Sequence, residues 1–176
     1  MPSTEYEKER TNLPKDHLIL SRDNLPYYFA FGSNIDLHQM LAVRCPNAKL
    51  VAGCVELPDW KYRLSANGGA SVDPHPGAVC YGSVFDVTET CVNTLDHYEG
   101  IDAGHYYHQM LNVPSSWPID HDRGVFLYLS GAVASKIEPS ESPRPGYQKQ
   151  IVTACEHLEY PPQYLQELRS WLPLSL

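Results

Sequence analysis

The chain has 176 residues, enough for one domain with a sizeable core, and at 43% hydrophobic and 19% charged residues it is a globular sequence rather than a disordered one. Thirteen basic against twenty-one acidic side chains give a net charge of −8 with no Lys/Arg cluster to follow a phosphate backbone, so nucleic acid is not an expected partner. Neither an apolar run of membrane-spanning length nor the apolar core of a signal peptide occurs, which excludes a membrane partner and favours a cytoplasmic location.

Residues 1–25 mix charged pairs with two prolines around one apolar knot, Leu18, Ile19 and Leu20, and read as a flexible arm before a domain over 26–176. The aromatic run YYFAF ending at Phe31 predicts a strand that stops at Gly32, Ser33 and Asn34. Leu37, Met40, Leu41 and Arg44 then follow helical spacing, with Asn34 or Asp36 available as cap. Residues 48–57 and 60–64 predict strands separated by Pro58, and the Gly/Pro-rich stretch 66–77 predicts a long loop. After a strand at 78–87, Thr88 should cap a helix that ends at Glu99 and Gly100. Two further strands are expected at 105–113 and 124–130, an irregular span at 135–146, and closing helices at 147–158 and 161–172. Irregular connections and more strands than helices imply an α+β fold, a compact mixed β-barrel-like sheet with peripheral helices.

Three features could carry chemistry. The Gly32-Ser33-Asn34 turn opens a helix, where main-chain N–H groups lack partners and the dipole favours an anion, so a small carboxylate would fit; an ordinary capped turn reads the same way. Asp96 and Glu99 crowd a helix C-terminus, where negative charge is disfavoured. That position, and burial, would raise a carboxyl pKa towards the range of a general base, though a solvated pair at a frayed end is the plainer alternative. Tyrosine hydroxyls at Tyr106, Tyr107 and Tyr147 could line a polar pocket or simply pack. His105 and His108 stand three apart on a strand and so point to opposite faces, which argues against a shared metal. The five cysteines form an odd set without CxxC spacing, against a disulfide framework or a zinc ribbon and in favour of a reducing compartment. Ser33 lacks a GxSxG elbow, and neither GxGxxG nor GxxxxGK[ST] occurs, so no nucleotide cofactor is expected.

In order and spacing, FAFGSN at 29–34, GSVFDVTETCVNTLDHYEG at 82–100, AGHYY at 103–107 and PRPGYQKQIV at 143–152 resemble the gamma-glutamylcyclotransferase family over about residues 27–170. The resemblance implies a mixed α/β barrel-like fold needing neither metal nor cofactor. It also implies a small-molecule gamma-glutamyl substrate, glutathione or a gamma-glutamyl amino acid, whose α-amine attacks its own side-chain carbonyl to release 5-oxoproline and an amine. On this resemblance Glu99 is the catalytic acid/base. Phe31, Gly32, Ser33 and Asn34 receive the glutamyl end, and Tyr106 and Tyr147 line the pocket. Phe31 stands where the family commonly has Tyr, so a relative specialised for a bulkier conjugate or another cyclisation, or a non-catalytic small-carboxylate or protein-binding module, remains an alternative. A homodimer is compatible with the sequence, which does not otherwise address oligomeric state.

Overall fold

A computed structural model describes residues 24–65, 67–131 and 143–173. The proposed arm, its Leu18–Leu20 knot and most of the expected irregular span at 135–146 lie outside these residues.

Five strands form one sheet, β1 (Tyr27–Ala30), β2 (Lys49–Leu64), β3 (Ala70–Asp86), β4 (Tyr106–Leu111) and β5 (Val125–Ser130), in the spatial order β2-β3-β1-β5-β4. Only β1 and β5 run parallel; the other three pairings are antiparallel. The sheet is open, with β2 and β4 at its edges, and the expected α+β arrangement of a mixed sheet with peripheral helices is what the chain adopts. Among the described residues three α-helices flank it: α1 (Glu89–Glu99), α2 (Tyr147–His157) and α3 (Pro162–Arg169).

Every residue of β1 and β5 is buried, as expected of strands covered on both faces by apolar side chains. Phe29, Phe85, Phe126 and Leu127 have no solvent exposure and, with Ile151 and Cys155 of α2 and Leu168 of α3, form the core. Trp117 closes one side by stacking on Phe29 at 5.5 Å and donating its indole N–H to the Glu56 carbonyl at 2.8 Å.

Three expectations are corrected here. Pro58 does not divide two strands, because it lies inside continuous β2 opposite Val79. An edge strand tolerates a residue without an N–H, and the irregularity falls just beyond, between Pro58 and Trp60, where Asp59 takes a φ of 65°. Nor is 66–77 a long loop: β3 begins at Ala70 and runs through Pro74 and Pro76. This outer half of β3 pairs with β2 alone, β1 joining only at Ser83–Phe85, so its prolines interrupt no ladder on the open side. The helix expected around Leu37–Arg44 is a 3-10 turn at Ser33–Ile35 followed by a wide, π-helical segment at His38–Arg44, in which the Cys45 N–H bonds the Met40 carbonyl.

Candidate active site

Helix α1 sets the first wall. Thr88 caps it by accepting from the Cys91 N–H at 3.2 Å. Gly100 ends it in the left-handed conformation at φ 65°, with the Ile101 N–H returning to the Asp96 carbonyl at 3.1 Å. A side chain at Gly100 would collide with His105, whose Cδ2 lies 2.6 Å from the site of a Cβ. The helix therefore stops at Glu99 and leaves that carboxyl at the rim of a cavity.

The acidic helix end has a structural explanation. Asp96 faces inward, where its Oδ1 accepts from the Tyr128 hydroxyl and from His108 Nε2, both at 2.6 Å. Glu99 receives no hydrogen bond from a described side chain and faces the cavity instead. Burial pushes its pKa up to about 7; Arg44 and Arg144 pull it back, and Asp96 pushes it further up.

The second wall is the turn after β1. Asn34 is buried, and its amide takes three hydrogen bonds: Nδ2 donates to the Tyr28 hydroxyl at 3.0 Å, while Oδ1 accepts from Arg44 at 2.8 Å and Gln39 at 3.1 Å. Gln39 also donates to Ser33 Oγ, and Gln150 of α2 donates to both Asp36 and Gln39 at 2.9 Å. Asp36 is the cap, accepting from the His38 and Gln39 N–H groups. These bonds hold the turn from both sides. Its Gly32 and Ser33 N–H groups make no hydrogen bond to a described residue. Gly32 itself is required by space, since a Cβ there would lie 2.9 Å from that of Ala70.

The third wall joins β3, β4 and α2 through Ala70, whose carbonyl accepts from the Tyr106 hydroxyl at 2.9 Å and whose N–H donates to the Tyr147 hydroxyl at 3.1 Å. Tyr106 thus uses its proton on the wall, whereas Tyr147 keeps its own as a donor. Burial raises the pKa of Tyr106 and of Tyr28, and Glu99 contributes to both shifts, so these hydroxyls stay protonated.

Together the walls enclose a cavity of about 340 Å³ lined by Phe31, Gly32, Ser33, Asn34, Glu99, Tyr106 and Tyr147. All seven site residues that the family resemblance implies face one space. Tyr28, Arg44, Tyr128 and Arg144, which no local feature of the sequence marks as site residues, line it as well. Arg44 and Tyr28 were legible only as pattern residues of a helix and a strand, and Arg144 only as part of a Pro-rich segment. Tyr107, a further pocket candidate, does not line the cavity. His105 borders the cavity beneath Gly100 while His108 is engaged by Asp96, so the two imidazoles do not form a pair. Among the described residues no group of three or more His, Cys, Asp or Glu could hold a metal ion.

A small α+β protein with a half-buried carboxyl sharing a cavity with an anion-receptive turn is what fold and site define, and comparison with known proteins gives that class a family. The family model described as AIG2-like matches residues 79–168, and the chain belongs to the AIG2-like family. The resemblance read from the motifs is borne out by curated relatives: it is 26% identical over 154 residues to gamma-glutamylcyclotransferase of Mus musculus, and over 157 residues to that of Homo sapiens. Each alignment covers 83% of this chain and 78% of the relative. The fold matches a solved gamma-glutamyl cyclotransferase with a TM-score of 0.71 at 24% identity, covering 86% of this chain and 90% of the other. An uncharacterized human protein matches with a TM-score of 0.70 at 24% identity, over 85% and 89% of the two chains.

Proposed function

We propose that the protein is a gamma-glutamylcyclotransferase, converting a gamma-glutamyl amide into 5-oxoproline and the released amine, with Glu99 as general acid/base. The observation that carries this reading is a carboxyl whose pKa is raised to about 7 sharing one small cavity with the Gly32–Asn34 turn.

The substrate's α-carboxylate is received by the free N–H groups of Gly32 and Ser33, beside Arg44. Its α-ammonium is then held near Glu99. The carboxylate removes a proton, and the freed amine attacks the γ-carbonyl carbon to close a five-membered ring. In total, two protons leave the attacking nitrogen and two arrive on the departing one as the amide C–N bond breaks. A carboxyl with a pKa near neutrality can accept and return a proton at comparable cost. The developing oxyanion has two donors within the cavity wall, the hydroxyls of Tyr147 and Tyr28, each of which accepts a bond from the wall and keeps its own proton.

The reaction is a redox-neutral transfer of the γ-acyl carbon from one nitrogen to another, accompanied by proton transfers that side chains can carry, so it calls for no cofactor. A cavity of about 340 Å³ suits a compact substrate such as glutathione or a gamma-glutamyl amino acid better than a bulky conjugate. Phe31 is buried in the wall and packs without needing the hydroxyl of a Tyr. Five free cysteines support a reducing, cytoplasmic location, and no helix among the described residues is long and apolar enough to cross a membrane.

The test is to incubate the purified protein with glutathione and with gamma-glutamyl-alanine and follow 5-oxoproline. Its formation by wild type and its loss in Glu99→Gln is expected. Free glutamate as the sole product would show hydrolysis instead, and binding of either compound without turnover would show a module that only recognises it.

A further inference from the structure

The cavity holds more positive charge than the glutamyl end of a substrate requires. Five arginines are described, and three are neutralised: Arg63 by Asp73 at 2.5 Å, Arg123 by Asp86 at 2.6 Å and Arg169 by Glu156 at 2.5 Å. The other two, Arg44 and Arg144, pair with no carboxylate among the described residues, and both line the cavity. In a chain of net charge −8, acidic partners are not scarce. Glu99, on whose charge both guanidinium groups act, shares the space with them without a salt bridge to either, so one acid faces two cations and the cavity favours a ligand that brings negative charge of its own.

The two arginines stand on different walls. Arg44 donates to Asn34 Oδ1 at 2.8 Å and lies 4.1 Å over the Tyr98 ring, which ties it to the turn assigned to the glutamyl carboxylate. Arg144 belongs to the wall of Tyr147 and Gly69. Its own N–H donates to the Gly68 carbonyl at 3.2 Å, its guanidinium sits 4.5 Å over the Tyr147 ring, and Nη2 lies 3.2 Å from where Gly69 would carry a Cβ. The main-chain bond and the aromatic face hold the fork in place, and the glycine leaves room beside it.

Resting on the function proposed above, we propose that Arg144 is a specificity residue that reads a carboxylate on the departing half of the substrate. The preferred leaving group is then an amino acid or short peptide with a free C-terminus, and a neutral or cationic amine is a poorer one.

The experiment compares gamma-glutamyl-alanine with gamma-glutamyl-alaninamide, which differ only in that carboxylate. kcat/KM for the two is measured with wild type, Arg144→Gln and Arg144→Lys. Wild type should favour the acid by about tenfold or more, a typical margin for a charge-assisted contact. Arg144→Gln should reduce that preference to within about threefold, and Arg144→Lys should keep part of it, having the charge without the fork. A general distortion of the site would slow both substrates alike and leave the ratio unmoved. The same pair is titrated calorimetrically into Glu99→Gln and into Glu99→Gln/Arg144→Gln, so that Arg144 is judged without turnover. Turnover or binding with no preference for the acid, or a preference that survives Arg144→Gln, overturns the inference and leaves the proposed function standing. Absence of 5-oxoproline from both substrates overturns the proposed function, while the binding ratio still decides the role of Arg144; absence of binding by either substrate overturns both.

Discussion

Glu99 pays for its position in stability. Its carboxyl has a folded-state pKa of about 7 against an ordinary value of 4.5, chiefly through burial. Between those values the folded protein retains a proton that the unfolded chain releases, so stability falls as pH rises through this window and stays lowered above it. The shift corresponds to at most about 3 kcal/mol, less what solvent screening at the half-buried rim removes. Glu99→Gln should therefore raise the thermal midpoint above that of wild type at pH 8, with the difference closing towards pH 5. A constant difference across that range in calorimetric scans would place the carboxyl in water. Gly32 tests the opposite wall. In Gly32→Val the new Cβ would start 2.9 Å from the Cβ of Ala70 and 3.2 Å from the Tyr147 hydroxyl, so KM should rise at least tenfold. An unchanged KM would remove Gly32 from the binding surface.

At the scale of elements, α1 carries the carboxyl and its ending aims it. Gly100→Ala places a Cβ at a φ of 65° and 2.6 Å from His105 Cδ2. It should destabilise the protein by roughly 1–3 kcal/mol in urea titration and lower activity together with stability, because the residue next to it is Glu99. Retained stability and activity would mean that the turn after α1 tolerates remodelling. This helix was legible in the sequence because its Thr88 cap, its buried Cys91, Val92 and Leu95 face and its Gly100 stop all agree. The β2–β3 hairpin was not, because prolines that signal loops locally are permitted along a ribbon whose outer half pairs on one side only. The same division holds within the site. Residues marked by a local anomaly, such as an acid at a helix C-terminus or a glycine turn after an aromatic strand, were visible. Arg44 and Arg144 were not, since an arginine's lack of a carboxylate partner is a property of the folded molecule and leaves no trace in local spacing.

For the molecule as a whole, the acidic chain builds one cavity in which an ionisable carboxyl lies among arginines and protonated tyrosines, on a scaffold without covalent cross-links. All five cysteines are free, and all except the half-buried Cys54 are buried. Burial pushes the thiols of Cys45 and Cys80 up to about 12 and that of Cys54 up to about 11. Native protein at pH 8 should accordingly react slowly with iodoacetamide, show five labels by mass spectrometry only after denaturation, and keep its thermal midpoint in reductant. Rapid native labelling or a midpoint that falls in reductant would contradict this packing. The central claim, that Glu99 is the proton shuttle of a cyclisation, is tested most directly by the pH dependence of kcat/KM for 5-oxoproline formation in wild type and Glu99→Gln. The account predicts an acidic limb in wild type with a midpoint near 7, and in Glu99→Gln a loss of about 100-fold or more with that limb abolished. A Glu99→Gln enzyme that turns over at the wild-type rate with the same limb would contradict it.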